Sequence, residues 1–188
     1  MTAIVPTDVQ WYLSNPMANT GYLGTGTPGN SLGAFMSTTQ ISTTPLNDLF
    51  LNITPAENAA FQVDYQCLFL MNNTASGNMM LEPYVWCPSS LFSGSATIEF
   101  GVDAAGAVPY NSSFQQAALI SNSTTEPVGV TSWYGPSISY SSGAILPDIP
   151  AQCCVALWFQ RTATGTTLNQ VVGGNSGFTI QVLFSTTD

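Results

Sequence analysis

The sequence predicts an all-β fold: an antiparallel β-sandwich, Ig-like or jelly-roll-like, with a loop-rich N-terminal arm. Two observations lead there. Short apolar or alternating runs recur between clusters of Gly, Pro, Asn, Ser and Thr, the rhythm of strands and turns in all-β chains. Segments with helical spacing are nearly absent. One domain is expected, because a chain of 188 residues can enclose a substantial core and no repeat or linker divides it. Residues 1–62 read as an arm of long loops and short strands packed on that same domain, and residues 63–188 as the sandwich core.

Along the arm, residues 14–62 are rich in turn formers, with a short β-like AFMS segment at 34–37. Residues 45–50 could hold a helical turn. A helix of one or two turns is expected over 55–61, where Thr54 is the N-cap, Pro55 takes the first helical position and Glu57 follows. The aromatic and apolar run 65–71 then stops at Asn72-Asn73-Thr74 and Ser76-Gly77-Asn78, and 79–86 resumes the pattern, so the two runs read as a hairpin or as neighbouring strands. Residues 96–102 alternate with period two, placing Ile98, Phe100 and Val102 on one face and Thr97 and Glu99 on the other. Further strands are expected at 117–120, 128–134, 152–162 and 178–184.

Charge excludes whole classes of partner. Only 6% of the residues are charged, and Arg161 is the sole cation beside ten acids, giving a net charge of −9. That field repels nucleic-acid phosphates and anionic lipid heads, so neither nucleic acid nor membrane is expected as a partner. The apolar run CCVALWF at 153–159 is far shorter than the ~20 residues of a spanning helix. The start, MTAIVPTDVQW, has neither the basic residues nor the apolar stretch of a signal peptide. The Asn-x-Ser/Thr triplets at Asn52, Asn72, Asn111 and Asn122 therefore read as products of composition.

Chemistry finds little support. Residues 21–35, GYLGTGTPGNSLGAF, contain both G-x-G-x-x-G and G-x-S-x-G. The first needs a strand before it and a helix after it, and here Pro28 interrupts it while a β-like segment follows. The second would make Ser31 a nucleophile, yet the chain has no His and no Lys to take its proton. The whole stretch reads as a pliable arm leading into a strand. The carboxylates Asp64, Glu82, Glu99 and Asp103 carry no spacing that marks a glycosidase pair, and no loop has the close-set oxygens that calcium needs. Cys67, Cys87, Cys153 and Cys154 lack both C-x-x-C spacing and histidine, so no metal site is expected and no cofactor either. They read as small buried hydrophobes, with a Cys67–Cys87 bridge left open and Cys153 and Cys154 on opposite strand faces. Trp11-Tyr12 and Trp133-Tyr134 are the candidate partner-contact residues, one member of each pair facing outward if both lie in strands.

Several stretches together resemble a family of tailed-bacteriophage virion proteins. Ser31-Leu32-Gly33-Ala34-Phe35-Met36-Ser37 is similar to an S-L-G-G-x-x-S segment, and Leu46 to Phe50 with Thr54-Pro55-Ala56-Glu57 to N-L-F…T-x-x-E. Asp64 to Asn72 resembles a Y-R-C-[LIV]-[YF]-[LIV]-x-N strand, Pro127 to Val130 a P-x-G-V turn, Ala156 to Thr162 a W-x-[RQ]-R-T strand, and Gly177 to Ile180 a closing G-F-x-[LIV] strand. Gln66 stands where relatives carry Arg, and Ala34 where they carry Gly. The resemblance implies a structural component of the virion and no enzyme. A capsid decoration or cement protein is the leading expectation, binding the major capsid protein or other virion proteins as a homo-oligomer. A neck, tail or baseplate adaptor is the first alternative. The second is a carbohydrate- or receptor-binding module in which Trp11, Tyr12, Trp133 and Tyr134 form a stacking platform. The implied location is the virion, assembled in the host cytoplasm.

Overall fold

A computed structural model describes residues 4–16, 24–41, 48–75, 77–88, 96–136, 139–165 and 179–187. The strands are β1 (Val9–Asn15), β2 (Phe35–Gln40), β3 (Val63–Asn72), β4 (Met80–Trp86), β5 (Ala96–Val102), β6 (Val108–Pro109), β7 (Ala144–Ile145), β8 (Cys153–Ala163) and β9 (Gln181–Thr186). They form two antiparallel sheets, a larger one ordered β2-β1-β3-β8-β5 with β6 also pairing β8, and a smaller one ordered β7-β4-β9. The fold is an all-β sandwich, as the patterning predicts.

β3 and β8 lie at the centre of the larger sheet, paired in continuous register from Val63 opposite Thr162 to Asn72 opposite Cys153. Both read as unbroken apolar runs because both faces of this sheet are covered, which removes the usual demand for alternation. Toward the smaller sheet point Leu68 and Leu70 of β3, Val155, Leu157 and Phe159 of β8, and Ile98 and Phe100 of β5, which meet Met80 and Val85 of β4. Toward the other side point Tyr65, Cys67, Phe69 and Met71 of β3 with Cys154, Ala156 and Trp158 of β8. Loops cover that second face, contributing Leu32, Ala117 and Ile120. Each such buried side chain stabilises the fold by roughly 1.5–3 kcal/mol relative to exposure.

The helix α1 (Pro55–Ala59) follows its sequence signals. Thr54 accepts from the Glu57 amide, and the Glu57 carboxylate accepts in return from the Thr54 amide. The described part of the arm is more regular than expected, since β1 lies between β2 and β3 and pairs with β3 over five residues, from Val9 opposite Asn72 to Leu13 opposite Leu68. Of the expected 45–50 turn, residues 45–47 lie outside the described residues, as do 178 of the last strand and 21–23 of the glycine-rich stretch.

Three expectations are corrected. β3 and β4 form no hairpin: the turn between them carries the chain from the larger sheet to the smaller, where Met80 bonds Ile149 in both directions. Residues 117–120 and 128–134 are not strands but irregular segments: 117–120 lies over the larger sheet, bonded to Leu32 and Ala34 ahead of β2, and 128–134 packs Val130 and Trp133 on the same core and makes one bridge, Tyr134 to Phe100, beside β5. Cys67 and Cys87 do not bridge. Both are free thiols, and they belong to cores on opposite sides of the larger sheet.

Candidate functional site

Loops over a sheet face bring backbone N–H and C=O groups into a dry layer, and each needs a partner. The sequence supplies them as buried polar side chains. The Ser31 hydroxyl donates to the Cys67 carbonyl, accepts from the Ser14 amide at 2.7 Å and lies 3.0 Å from the Ser14 hydroxyl, which in turn accepts from the Gly33 amide at 2.8 Å. Gln66 accepts from the Ser31 amide at 2.7 Å and donates to the Gly29 carbonyl at 3.2 Å. Gln116 accepts from the Met36 amide at 2.7 Å and donates to the carbonyls of Pro109 and Tyr110. Ser31 is therefore a fully buried clamp. Residues 31–35 are buried and held by these bonds, so this end of the stretch is part of the core, while Thr25, Thr27, Pro28 and Asn30 are exposed.

Gly33 explains why this clamp needs glycine. Its φ is +88°, and a Cβ added there would lie 1.8 Å from the Ala118 carbonyl oxygen. The next residue, Ala34, also holds a positive φ of 67°. Successive left-handed residues turn the chain sharply from the clamp into β2.

The acids are likewise engaged. Asp103 accepts from the Trp158 indole at 2.9 Å, from the Ala118 amide at 2.9 Å and from the Ala105 amide at 2.9 Å, tying the loop layer to the largest buried side chain. Asp64 forms a salt bridge with Arg161 at 2.7 Å, and it also accepts from Gln62 and Ser123. Arg161 donates besides to the Leu51 carbonyl and sits 4.8 Å from the Phe50 ring centroid. The chain's one cationic side chain is thus buried in an ion pair. Glu82 and Glu99 join neither cluster. Glu82 occupies the irregular register of β4, with its amide donating to Asp148, and Glu99 stands on β5.

Among the described residues, no three His, Cys, Asp or Glu side chains gather as a metal site. Burial pushes all four thiols up, Cys87 and Cys154 to about 12 and Cys67 well above its usual range. These cysteines are neutral and poor nucleophiles at physiological pH.

The four candidate aromatics do not come together. Trp11 packs on the core between the sheets from β1, and Tyr134 packs on the same core beyond β5, stacked 5.5 Å from Phe100. Tyr12 and Trp133 pack on the loop-covered core, Trp133 at 5.6 Å from Tyr65. All four are half-buried, and β1 and β5 are separated by two intervening strands. No shared stacking platform results.

A more exposed group is one that sequence reading passed over. On the outer face of the smaller sheet, Tyr84 lies directly opposite Ile145 on one side and Leu183 on the other. Tyr140 packs edge-on against Tyr84 at 5.8 Å and against Trp86 at 6.1 Å. Ile145, Leu183 and Tyr140 are 57%, 48% and 49% exposed. A signal existed, since Tyr84 and Trp86 alternate with buried Val85, but locating the row required knowing which strands flank β4.

No protein family matches the chain, and no curated protein or solved structure matches it either.

Proposed function

We propose that the chain is a structural protein of a tailed-bacteriophage particle, decorating or cementing the assembled head by contact with the major capsid protein. The observation that carries this reading is the uncharged row Ile145–Tyr84–Leu183, flanked by Trp86 and Tyr140, on the outer face of the smaller sheet. The solvent face of an antiparallel sheet is ordinarily polar, and a contiguous apolar row there marks an attachment surface. Charge favours an unlike partner. Every copy carries −9 and no exposed cationic side chain, so a neutral or cationic shell surface suits this face better than a sister copy does. Repetition over a symmetric shell strengthens weak contacts, and linked sites gain about 10²–10⁴ in avidity.

The residues that resemble catalytic groups have structural partners: Ser31 donates to a backbone carbonyl, Asp64 pairs with Arg161 and Asp103 accepts from the Trp158 indole. The test is decoration by the double variant Ile145→Ser, Leu183→Ser, whose side chains lie outside the core. The isolated variant should melt as the parent does, while its occupancy on heads, counted by electron microscopy, should fall at least tenfold. Undiminished occupancy would remove this face from the proposal. Absence of the parent protein from purified virions would end the virion reading itself.

A further inference from the structure

A cleft of about 230 Å³ opens on the loop-covered side of the larger sheet, with Met36 and Met71 as its buried floor and Tyr12, Tyr110, Asn73 and Gln152 among its walls. Five separate parts of the chain build it, around residues 12, 36–38, 71–73, 110 and 152. Tyr12 stands on β1 opposite Phe69 of β3, Asn73 follows β3 with its amide bonded to the Asp8 carbonyl, and Tyr110 is held by its amide to the Gln152 carbonyl. Gln152 itself has a positive φ of 59°, an uncommon conformation for a side-chain-bearing residue.

The lining defines what fits. It contains no acid and no cation, so an ionised ligand would lose hydration without gaining a counter-charge. A purely apolar ligand fits no better, because it would cover polar groups that need partners. No described residue hydrogen-bonds the Tyr110 hydroxyl or the Asn73 carboxamide. Gln152 donates through Nε2 to the Thr74 carbonyl at 3.0 Å, which leaves its Oε1 an open acceptor. The Tyr12 hydroxyl donates to Gln10 and can still accept. Two aromatic rings, a thioether floor and neutral donors and acceptors match a ring with C–H faces and a hydroxyl rim. The volume is below the roughly 300–1,000 Å³ of drug-sized sites, so it suits a single ring. The larger cleft beside β9, lined by Ile4, Pro6, Val9, Val182 and Phe184, offers no side-chain polar group to orient such a ligand.

We infer that the Tyr12–Tyr110 cleft binds one residue of an uncharged sugar, a neutral hexopyranose or its N-acetylated form. Of the four aromatics expected to form a sugar platform, only Tyr12 belongs to it. Sugar binding here does not depend on where the chain resides, so it stands or falls separately from head decoration.

The test is titration of the full chain with glucose, galactose, mannose and N-acetylglucosamine, followed by amide chemical shifts. Glucosamine and N-acetylneuraminic acid serve as charged counterparts. At least one neutral sugar should saturate with a Kd of order 1–10 mM, shifting amides around residues 12, 73, 110 and 152. Tyr110→Phe removes one hydroxyl, Asn73→Ala trims an exposed side chain, and each should weaken binding by about fivefold or more. Val128→Ser, at an 86% exposed position outside the lining, should bind as the parent does. The inference fails if no neutral sugar saturates up to about 0.1 M. It fails equally if the charged sugars bind as well, or if Tyr110→Phe and Asn73→Ala both leave affinity unchanged.

Discussion

The two faces of the larger sheet solve the same problem in different ways. One is covered by a second sheet, and this layer is mostly Leu, Val, Ile, Phe and Met, with buried Asn72 at its margin donating to the carbonyls of Asn78 and Ile149. The other is covered by loops, which arrive with unsatisfied amides and carbonyls, and here the buried Ser14, Ser31, Asp103 and Gln116 meet those groups beside the apolar residues. Among the described residues, every buried side-chain nitrogen and oxygen has a hydrogen-bond partner. The contrast teaches that the buried Ser14, Ser31, Asp103 and Gln116 side chains serve backbone groups that no regular ladder satisfies. A Ser in G-x-S-x-G or a carboxylate beside a turn resembles a catalytic group until the backbone atoms that it satisfies are located.

The largest expected effect strikes both faces together. Burial raises the thiols of Cys87, between the sheets, and of Cys67 and Cys154, under the loops. In the unfolded chain these groups lose protons near 9, while folded Cys87 and Cys154 hold theirs until about 12. Between those values the folded state binds more protons, so stability is at its full value below pH 9 and falls as pH rises. The slope approaches about 1.4 kcal/mol per pH unit for each thiol. Tyr12 and Tyr65, also raised by burial, act in the same direction. Urea midpoints should hold steady from pH 7 to about 8.5 and then drop steeply; a midpoint unchanged at pH 11 would mean that the thiols are not buried as described.

Removing Asp103 separates the two faces. Asp103→Ala leaves the Trp158 indole and the amides of Ala118 and Ala105 without their acceptor, and the cost should be about 3 kcal/mol. Hydrogen exchange should rise over residues 103–120 and around Ser31 while β4 and β9 keep their protection. Uniform loss of protection across both sheets would show that the loop layer and the smaller sheet form one cooperative unit.

Much of the architecture was legible. Alternation in 96–102 and the apolar runs at 65–71 and 152–162 located β5, β3 and β8, because strand periodicity is a local property. Thr54, Pro55 and Glu57 located α1 for the same reason. Pairing was not legible: 65–71 and 79–86 satisfy hairpin patterning, and only tertiary packing sends them to different sheets. The runs 117–120 and 128–134 were misread because an apolar stretch covering a sheet resembles one lying within it. What Ser31 bonds was not legible, because Ser14 and Cys67 lie 17 and 36 residues away in sequence. The outer-face row likewise joins three strands remote in sequence.

The smallest effect tests the tight turn that feeds the loop-covered face. Ala34 has a φ of 67°, a conformation costing an L-residue about 1–2 kcal/mol. Ala34→Gly removes that strain. It also gives the unfolded chain more freedom, worth about 0.4–1 kcal/mol, and deletes a methyl group that is 1% exposed, worth about 0.8 kcal/mol. The opposing terms nearly cancel, so the melting temperature should move by no more than a few degrees. A large loss on substitution would mean that the Ala34 methyl does more for packing under the loops than its area indicates. A large gain would mean that the turn is held against its preference by the Ser31 clamp and by the Gln116 and Ala117 amides, which both donate to the Ala34 carbonyl.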